Sequence, residues 1–178
     1  MIYRFMIVIA VVVSLATVVF STHTAYAEDF TLTDEQKQQI TTNCVAIKNS
    51  LNQLHASDAL LRVNRGQVYE SMASKLMDRF NARLSSNNLD AKAMTTVTDN
   101  YRAALADFRT NYIQYEQKLS ETLRIDCTKS PEQFHASILA TRELRSLVHE
   151  DVTRLHRFID DYRSSVSDFL LNYQRISE

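Results

Sequence analysis

The sequence predicts an all-α protein, an elongated three-helix bundle running up-down-up, and three observations carry that prediction. The first is that 178 residues include one glycine and one proline. Sheets, phosphate-cradling loops and tight turns use these residues at special backbone angles, so their scarcity leaves few connections and long helices. The second is the recurrence of apolar residues at steps of three, four or seven over three successive stretches, the spacing of one helix face. The third is that short polar clusters carrying helix stop and start signals separate those stretches.

The chain opens with Met1-Ile2-Tyr3-Arg4, a short basic start, followed by a run from Phe5 to Phe20 that is apolar apart from Ser14 and Thr17. Ala25-Tyr26-Ala27 then offers a small-residue cleavage site before Glu28. This is the pattern of a secretory signal peptide over residues 1–27. The competing reading is an uncleaved membrane anchor, since the run falls short of the ~20 residues of a spanning helix but its neighbours could extend it.

Helix one is expected over about 34–85. Thr33-Asp34-Glu35-Gln36 fits a capping box, and the two acids suit the positive end of the helix dipole. Residues Leu32 to Gln36 also resemble the L-T-x-x-Q motif of small helical periplasmic chaperones, although capping accounts for them by itself. The stripe runs through Ile40, Cys44, Ile47, Leu51, Leu54, Leu61, Val68, Met72, Leu76 and Phe80, and the helix should stop in Ser85-Ser86-Asn87-Asn88. Helix two is expected over 91–124, capped by Asp90, with Leu89 and Met94 placed as a hydrophobic staple. Its stripe passes Val97, Tyr101, Leu105, Phe108, Tyr112, Tyr115 and Leu119. Helix three, over 131–176, has Ser130 as cap and Pro131 at its first position, and carries Val148, Val152, Leu155, Ile159, Tyr162, Val166 and Phe169.

At ~1.5 Å per residue these helices are about 75, 50 and 68 Å long. Folding helix two back on helix one brings its end level with about Leu54, and the next loop carries Cys127 toward Cys44. The mature chain has two cysteines, an even number that favours a disulfide in an oxidising compartment, so Cys44 and Cys127 are expected to be bridged. The same alignment equates residue 131 with about residue 43.

Charge narrows the partners. The net charge is −1, and −2 without the leader, with 19 basic against 21 acidic residues. Nucleic acid is not expected, because its binding rests on clustered, unneutralised Lys and Arg. Membrane contact is expected through an uncleaved leader alone. No Ser-His-Asp or Cys-His spacing suggests a nucleophile, and no glycine loop could hold phosphate. Glu132-x-x-His135 has the spacing of a di-iron motif but lacks a second copy and the facing glutamates. Neither enzyme activity, metal nor cofactor is expected.

The centre of helix one breaks its own stripe. Asp58 and Arg65 stand where the seven-residue repeat calls for apolar side chains, and Arg62, Asn64, Gly66, Gln67, Tyr69 and Glu70 crowd the same turns. Thr141 and Arg145 do the same in helix three, at about the level of Asp58 and Arg62. Asp58, Arg62, Arg65 and Arg145 are therefore the candidate polar positions. They could fix helix register, with Asp58 paired to Arg62 and Arg145 to Glu116 or Glu150, they could bind an anionic ligand or peptide, or they could simply be solvated. Gly66 in mid-helix costs ~1 kcal/mol against Ala, so a bend or a close helix approach is expected there.

Two stretches, Asp58 to Tyr69 and Asp126-Cys127-x-x-x-Pro131-x-x-Phe134, resemble those of uncharacterised secreted helical-bundle proteins of small-genome, candidate-phylum bacteria. The resemblance implies an exported bundle and carries no known activity. The expected function is a non-enzymatic structural or protein-interaction module at the bacterial cell envelope, the alternative being a ligand- or client-binding, chaperone-like helical protein. An unidentified protein partner is expected. Leu60, Leu61 and Val63 within one turn exceed a single seam and leave room for a homo-oligomer.

Overall fold

Every regular element is helical in the computed structural model, which describes residues 31–177, and no strand occurs among the described residues. The predicted leader, residues 1–27, lies outside them. The order is α1 (Asp34–Thr42), α2 (Cys44–Ser71), a π-helical segment (Met72–Met77), α3 (Asp78–Ser86), α4 (Lys92–Arg124) and α5 (Pro131–Ser177). No helix among the described residues is long and apolar enough to cross a membrane.

The termini follow local chemistry. At the start of α1 the Gln36 N–H donates to Thr33 Oγ1 at 3.3 Å, and the Thr33 N–H donates back to Gln36 Oε1 at 2.9 Å, completing the capping box. At the end of α3 the Asn88 N–H bonds the Ser85 carbonyl at 3.1 Å and the Leu89 N–H bonds the Leu84 carbonyl at 2.9 Å. That is a Schellman motif, and Asn88 supplies its left-handed residue at φ 57°. The next helix begins one residue later than expected. Ala91 is its cap, and Asp90 accepts the Lys92 N–H at 2.9 Å from just outside.

The expected single helix over 34–85 is interrupted twice. At Asn43 the side-chain amide donates to the Gln39 carbonyl at 2.9 Å, a local bond that competes with the helical ladder, and the backbone pauses at φ −97°, ψ 10°. The second interruption is the π-helical segment, whose turn is widened by i→i+5 bonding. It changes which face is buried. Tyr69, Ala73, Met77, Asn81 and Leu84 lie in the interior, whereas Leu61, Val68 and Leu76 of the expected stripe are 49%, 55% and 52% exposed. Steps of four from 69 to 81 stay on one face where the helix is wound wider than an α-helix. Two tyrosines bond carbonyls at the two ends of this segment: Tyr101 donates to the Tyr69 carbonyl at 3.0 Å and Tyr162 to the Met77 carbonyl at 3.3 Å.

Packing runs in chain order. α4 packs against α5 along much of its length and against α3, the π segment and α2 in turn, while α1 rests on α5. One cluster gathers Tyr69, Met77, Leu84, Met94, Tyr101, Leu105, Phe108, Leu155 and Tyr162; a second gathers Tyr112, Tyr115 and Leu119. The third holds Cys44, Cys127 and Phe134. Each fully buried Leu or Phe, such as Leu119, Phe134 and Leu155, contributes on the order of 1.5–3 kcal/mol against exposure. Cys44 and Cys127 form the expected disulfide, with 5.7 Å between Cα atoms. The turn presenting Cys127 is fixed by Asp126, which accepts from the Thr128 hydroxyl at 2.6 Å and the Thr128 N–H at 3.0 Å. The bonds from Thr128 hold the Asp126 carboxyl below the usual range.

Polar pairs cross the core at more than the one expected level. Asn81 donates to Thr98 Oγ1 at 2.9 Å and accepts from the Tyr162 hydroxyl at 2.9 Å. Near the disulfide end Thr122 bonds the hydroxyls of Ser137 at 2.7 Å and Thr141 at 3.0 Å. Among the described residues no buried side-chain nitrogen or oxygen is left without a partner. Gly66 contradicts the expected close approach: a Cβ built there meets nothing within 4 Å.

Candidate functional site: an arginine-lined cleft between α2, α4 and α5

α2 and α5 reach each other through long side chains rather than by close backbone packing. Arg145 crosses from α5 to Asp58, and the Tyr69 hydroxyl meets His156 Nε2 at 3.0 Å. Both contacts join residues 87 apart, one short of the offset the sequence predicts. Between the two helices lies a cleft of about 650 Å³. Leu61, Arg62 and Arg65 form one wall, Arg142, Arg145, His149 and Val152 the other, and the α4 rings of Phe108, Tyr112 and Tyr115 form the floor.

At the head of the cleft Asp58 is the hub. It accepts the Tyr115 hydroxyl at 2.7 Å and the Arg145 Nε at 3.0 Å, both on Oδ2, and the Arg145 Nη2 on Oδ1 at 3.4 Å. Asp58 is largely covered, its side chain 13% exposed, and Arg145 is half open at 52%. The bond to Asp58 raises the Arg145 guanidinium still further above neutrality. Burial, and then the bond to Asp58, pushes the Tyr115 phenol well up. Tyr112 is pushed up to about 12, first by burial and then by the neighbouring Glu116 carboxylate. Glu116 accepts the Tyr112 hydroxyl at 3.3 Å and also pairs with His55.

Two expected pairings are replaced. Asp58 does not pair with Arg62 four residues on, and Arg145 takes Asp58 instead of Glu116 or Glu150. The reason is reach: Asp58 is met by the guanidinium arriving from α5, whereas Arg62 is directed toward the α4 ring of Tyr112. Arg62 thereby lies over the Tyr112 ring, 4.9 Å from its centroid, a cation–π contact. Arg65 lines the same cleft and makes no ion pair among the described residues.

All four expected positions, Asp58, Arg62, Arg65 and Arg145, thus converge on one cleft. Sequence reasoning missed Arg142, which also lacks an ion pair among the described residues, and His149. A signal was present: Arg142-x-x-Arg145 repeats the three-residue spacing of Arg62-x-x-Arg65, which places each pair on one helix face. The cleft therefore carries four guanidinium groups against one carboxylate, and that carboxylate is already bonded. Such a surface can fork hydrogen bonds to an oxyanion while offering an aromatic and aliphatic floor. Among the described residues no group of three or more His, Cys, Asp and Glu side chains is gathered as a metal would need.

Fold and site define an all-helical, disulfide-bridged protein with a cationic cleft. No protein-family model, curated protein or solved structure matches the chain.

Proposed function

We propose that this protein is a non-enzymatic, exported interaction module of the bacterial cell envelope, a three-helix up-down-up bundle that binds through the cleft between α2, α4 and α5. The observation that carries the reading is the excess of guanidinium over carboxylate in a cleft where Asp58 engages Arg145 but Arg65 and Arg142 have no ion pair among the described residues. A purely register-setting cluster would be expected to close its charges on one another. The order of helix contacts supports the bundle, and the Cys44–Cys127 bridge is compatible with export behind the predicted leader.

The test is capture from envelope extract by purified protein and by an Arg65→Glu/Arg142→Glu variant. A retained species that the variant loses supports the reading; identical captures by both would refute it. The alternative, a binder of small ligands, is favoured by the size of the cleft, which lies within the ~300–1,000 Å³ range of small-molecule sites.

A further inference from the structure

Building on the cleft reading above, we infer that the ligand is a small amphipathic anion, an oxyanion head such as a carboxylate or phosphate on an extended apolar body. Three features of the cleft point to this class together. The walls supply the head-group chemistry: Arg62 and Arg65 on α2 face Arg142 and Arg145 on α5, each pair spaced by three residues. Arg65 and Arg142 have no carboxylate partner among the described residues, so their donors are available to a ligand. Arg145 is different. Asp58 already engages it at 3.0 Å, so it serves to hold the two helices at the spacing the cleft requires.

The floor supplies the body chemistry. Phe108 on the floor and Val148 and Val152 on the α5 side add apolar surface to the same cleft. A bare inorganic anion would leave that surface wet, and a neutral chain would leave the guanidinium charge unanswered. A ligand with both parts satisfies both. The shape agrees: the α5 wall from Arg142 to Val152 is about 15 Å long at the helical rise, suited to an extended chain lying along the helices.

The counterpart on the other side of α2 carries a different pattern. That cleft, of about 670 Å³, is crossed by the Glu70–Arg109 ion pair, with Arg109 Nε donating to Glu70 Oε1 at 2.7 Å. Arg109 is neutralised there, and of the other two cations Arg62 is shared with the first cleft, so that side has a smaller excess of positive charge than the four arginines against Asp58 on the first.

The experiment is calorimetric titration of the purified, disulfide-intact full chain with monomeric dodecanoate and dodecyl phosphate, beside neutral dodecyl maltoside, acetate and inorganic phosphate. The expected result is saturable binding of one or both amphipathic anions, at least tenfold tighter than any of the other three probes. Preference between dodecanoate and dodecyl phosphate reports the head group. Arg65→Ala/Arg142→Ala should weaken binding at least tenfold, while Arg79→Ala/Arg83→Ala, which removes two exposed charges from α3, should leave it unchanged. Comparing these variants in the full chain cancels any uptake by the leader. Because Arg65 and Arg142 are exposed and make no ion pair among the described residues, unchanged circular dichroism and melting temperature are expected for that variant. If it nevertheless melts early, Arg65→Lys/Arg142→Lys, which keeps charge without the fork, should bind at intermediate strength.

Equal binding of dodecanoate and dodecyl maltoside, or of phosphate and dodecyl phosphate, would overturn the inference, as would equal losses in the α3 control. Absence of binding by both amphipathic anions would also overturn it. If envelope capture still depends on Arg65 and Arg142 in that case, the ligand class alone is wrong. If capture is indifferent to them as well, the cleft reading falls with it.

Discussion

Replacing Asp58 by alanine should destabilise the protein by about 2–3 kcal/mol, and most of that loss should travel through Tyr115 rather than through Arg145. Tyr115 is 1% exposed, and its hydroxyl donates to Asp58 Oδ2 at 2.7 Å. A hydrogen bond to a charged acceptor contributes about 1.5–3 kcal/mol, and its loss leaves a buried hydroxyl to find water through the cleft. Arg145 shares the same oxygen at 3.0 Å but is 52% exposed, so solvent screens that pair to roughly 0.2–1 kcal/mol. The assay is a double-mutant cycle in urea with Asp58→Ala, Tyr115→Phe and Arg145→Ala, the disulfide intact. Asp58→Ala should lower the melting temperature by about 5–10 °C, and the Asp58–Tyr115 coupling should be about 1.5 kcal/mol. Arg145→Ala should cost under about 1 kcal/mol. A coupling below about 0.5 kcal/mol, or an Arg145→Ala loss exceeding that of Tyr115→Phe, would refute the account of Asp58 as a buried acceptor with an exposed ion pair.

Three further expectations test other parts of the fold. Cys44→Ser/Cys127→Ser releases a bridge spanning 83 residues and should lower stability by up to about 4.5 kcal/mol on the chain-entropy model, with hydrogen exchange rising first in α1 and the turn at Asp126; uniform loss of protection along α4 and α5 would contradict that localisation. Gly66→Ala should stabilise by up to ~1 kcal/mol, because the new methyl meets nothing within 4 Å and Ala is the better helix former, and an unchanged or lower urea midpoint would sink the claim. At alkaline pH, burial raises Tyr112 and Tyr162 to about 12 from an ordinary value of 10.0, so between those values the native state holds more protons than the unfolded chain. Their stabilisation is complete below about pH 10 and is lost as pH rises through about 12, at up to about 1.4 kcal/mol per pH unit for each tyrosine; urea midpoints from about pH 9 to 11.5 should fall less steeply in Tyr112→Phe, and parallel slopes would count against it.

How much of this was legible depends on the range of the interaction involved. Thr33 with Gln36, the stop at Asn87-Asn88 and the start at Pro131 are contacts between residues a few positions apart, so their chemistry is present in the letters. The Asp58–Arg145 level was nearly readable too, because three helices of known rise joined by short turns leave little freedom along their length. Rotation about the helix axis is another matter. One widened turn at Met72–Met77 moved the buried face from Val68 and Leu76 to Tyr69, Ala73 and Met77. Nothing in a periodic pattern of apolar residues distinguishes these two faces, since both carry them.

By itself the sequence determined an all-helical protein, its main turns, the bridge between Cys44 and Cys127, and Asp58, Arg62, Arg65 and Arg145 as the residues out of pattern. Tertiary structure decided what those residues do. Asp58 had an arginine four residues away and another 87 away, and the choice between them rested on how far α5 stands from α2. That spacing also opened the cleft, brought Arg142 into it and left Arg65 unpaired among the described residues. Helix separation is set by the summed packing of side chains from all three sides, a property no single stretch of sequence contains.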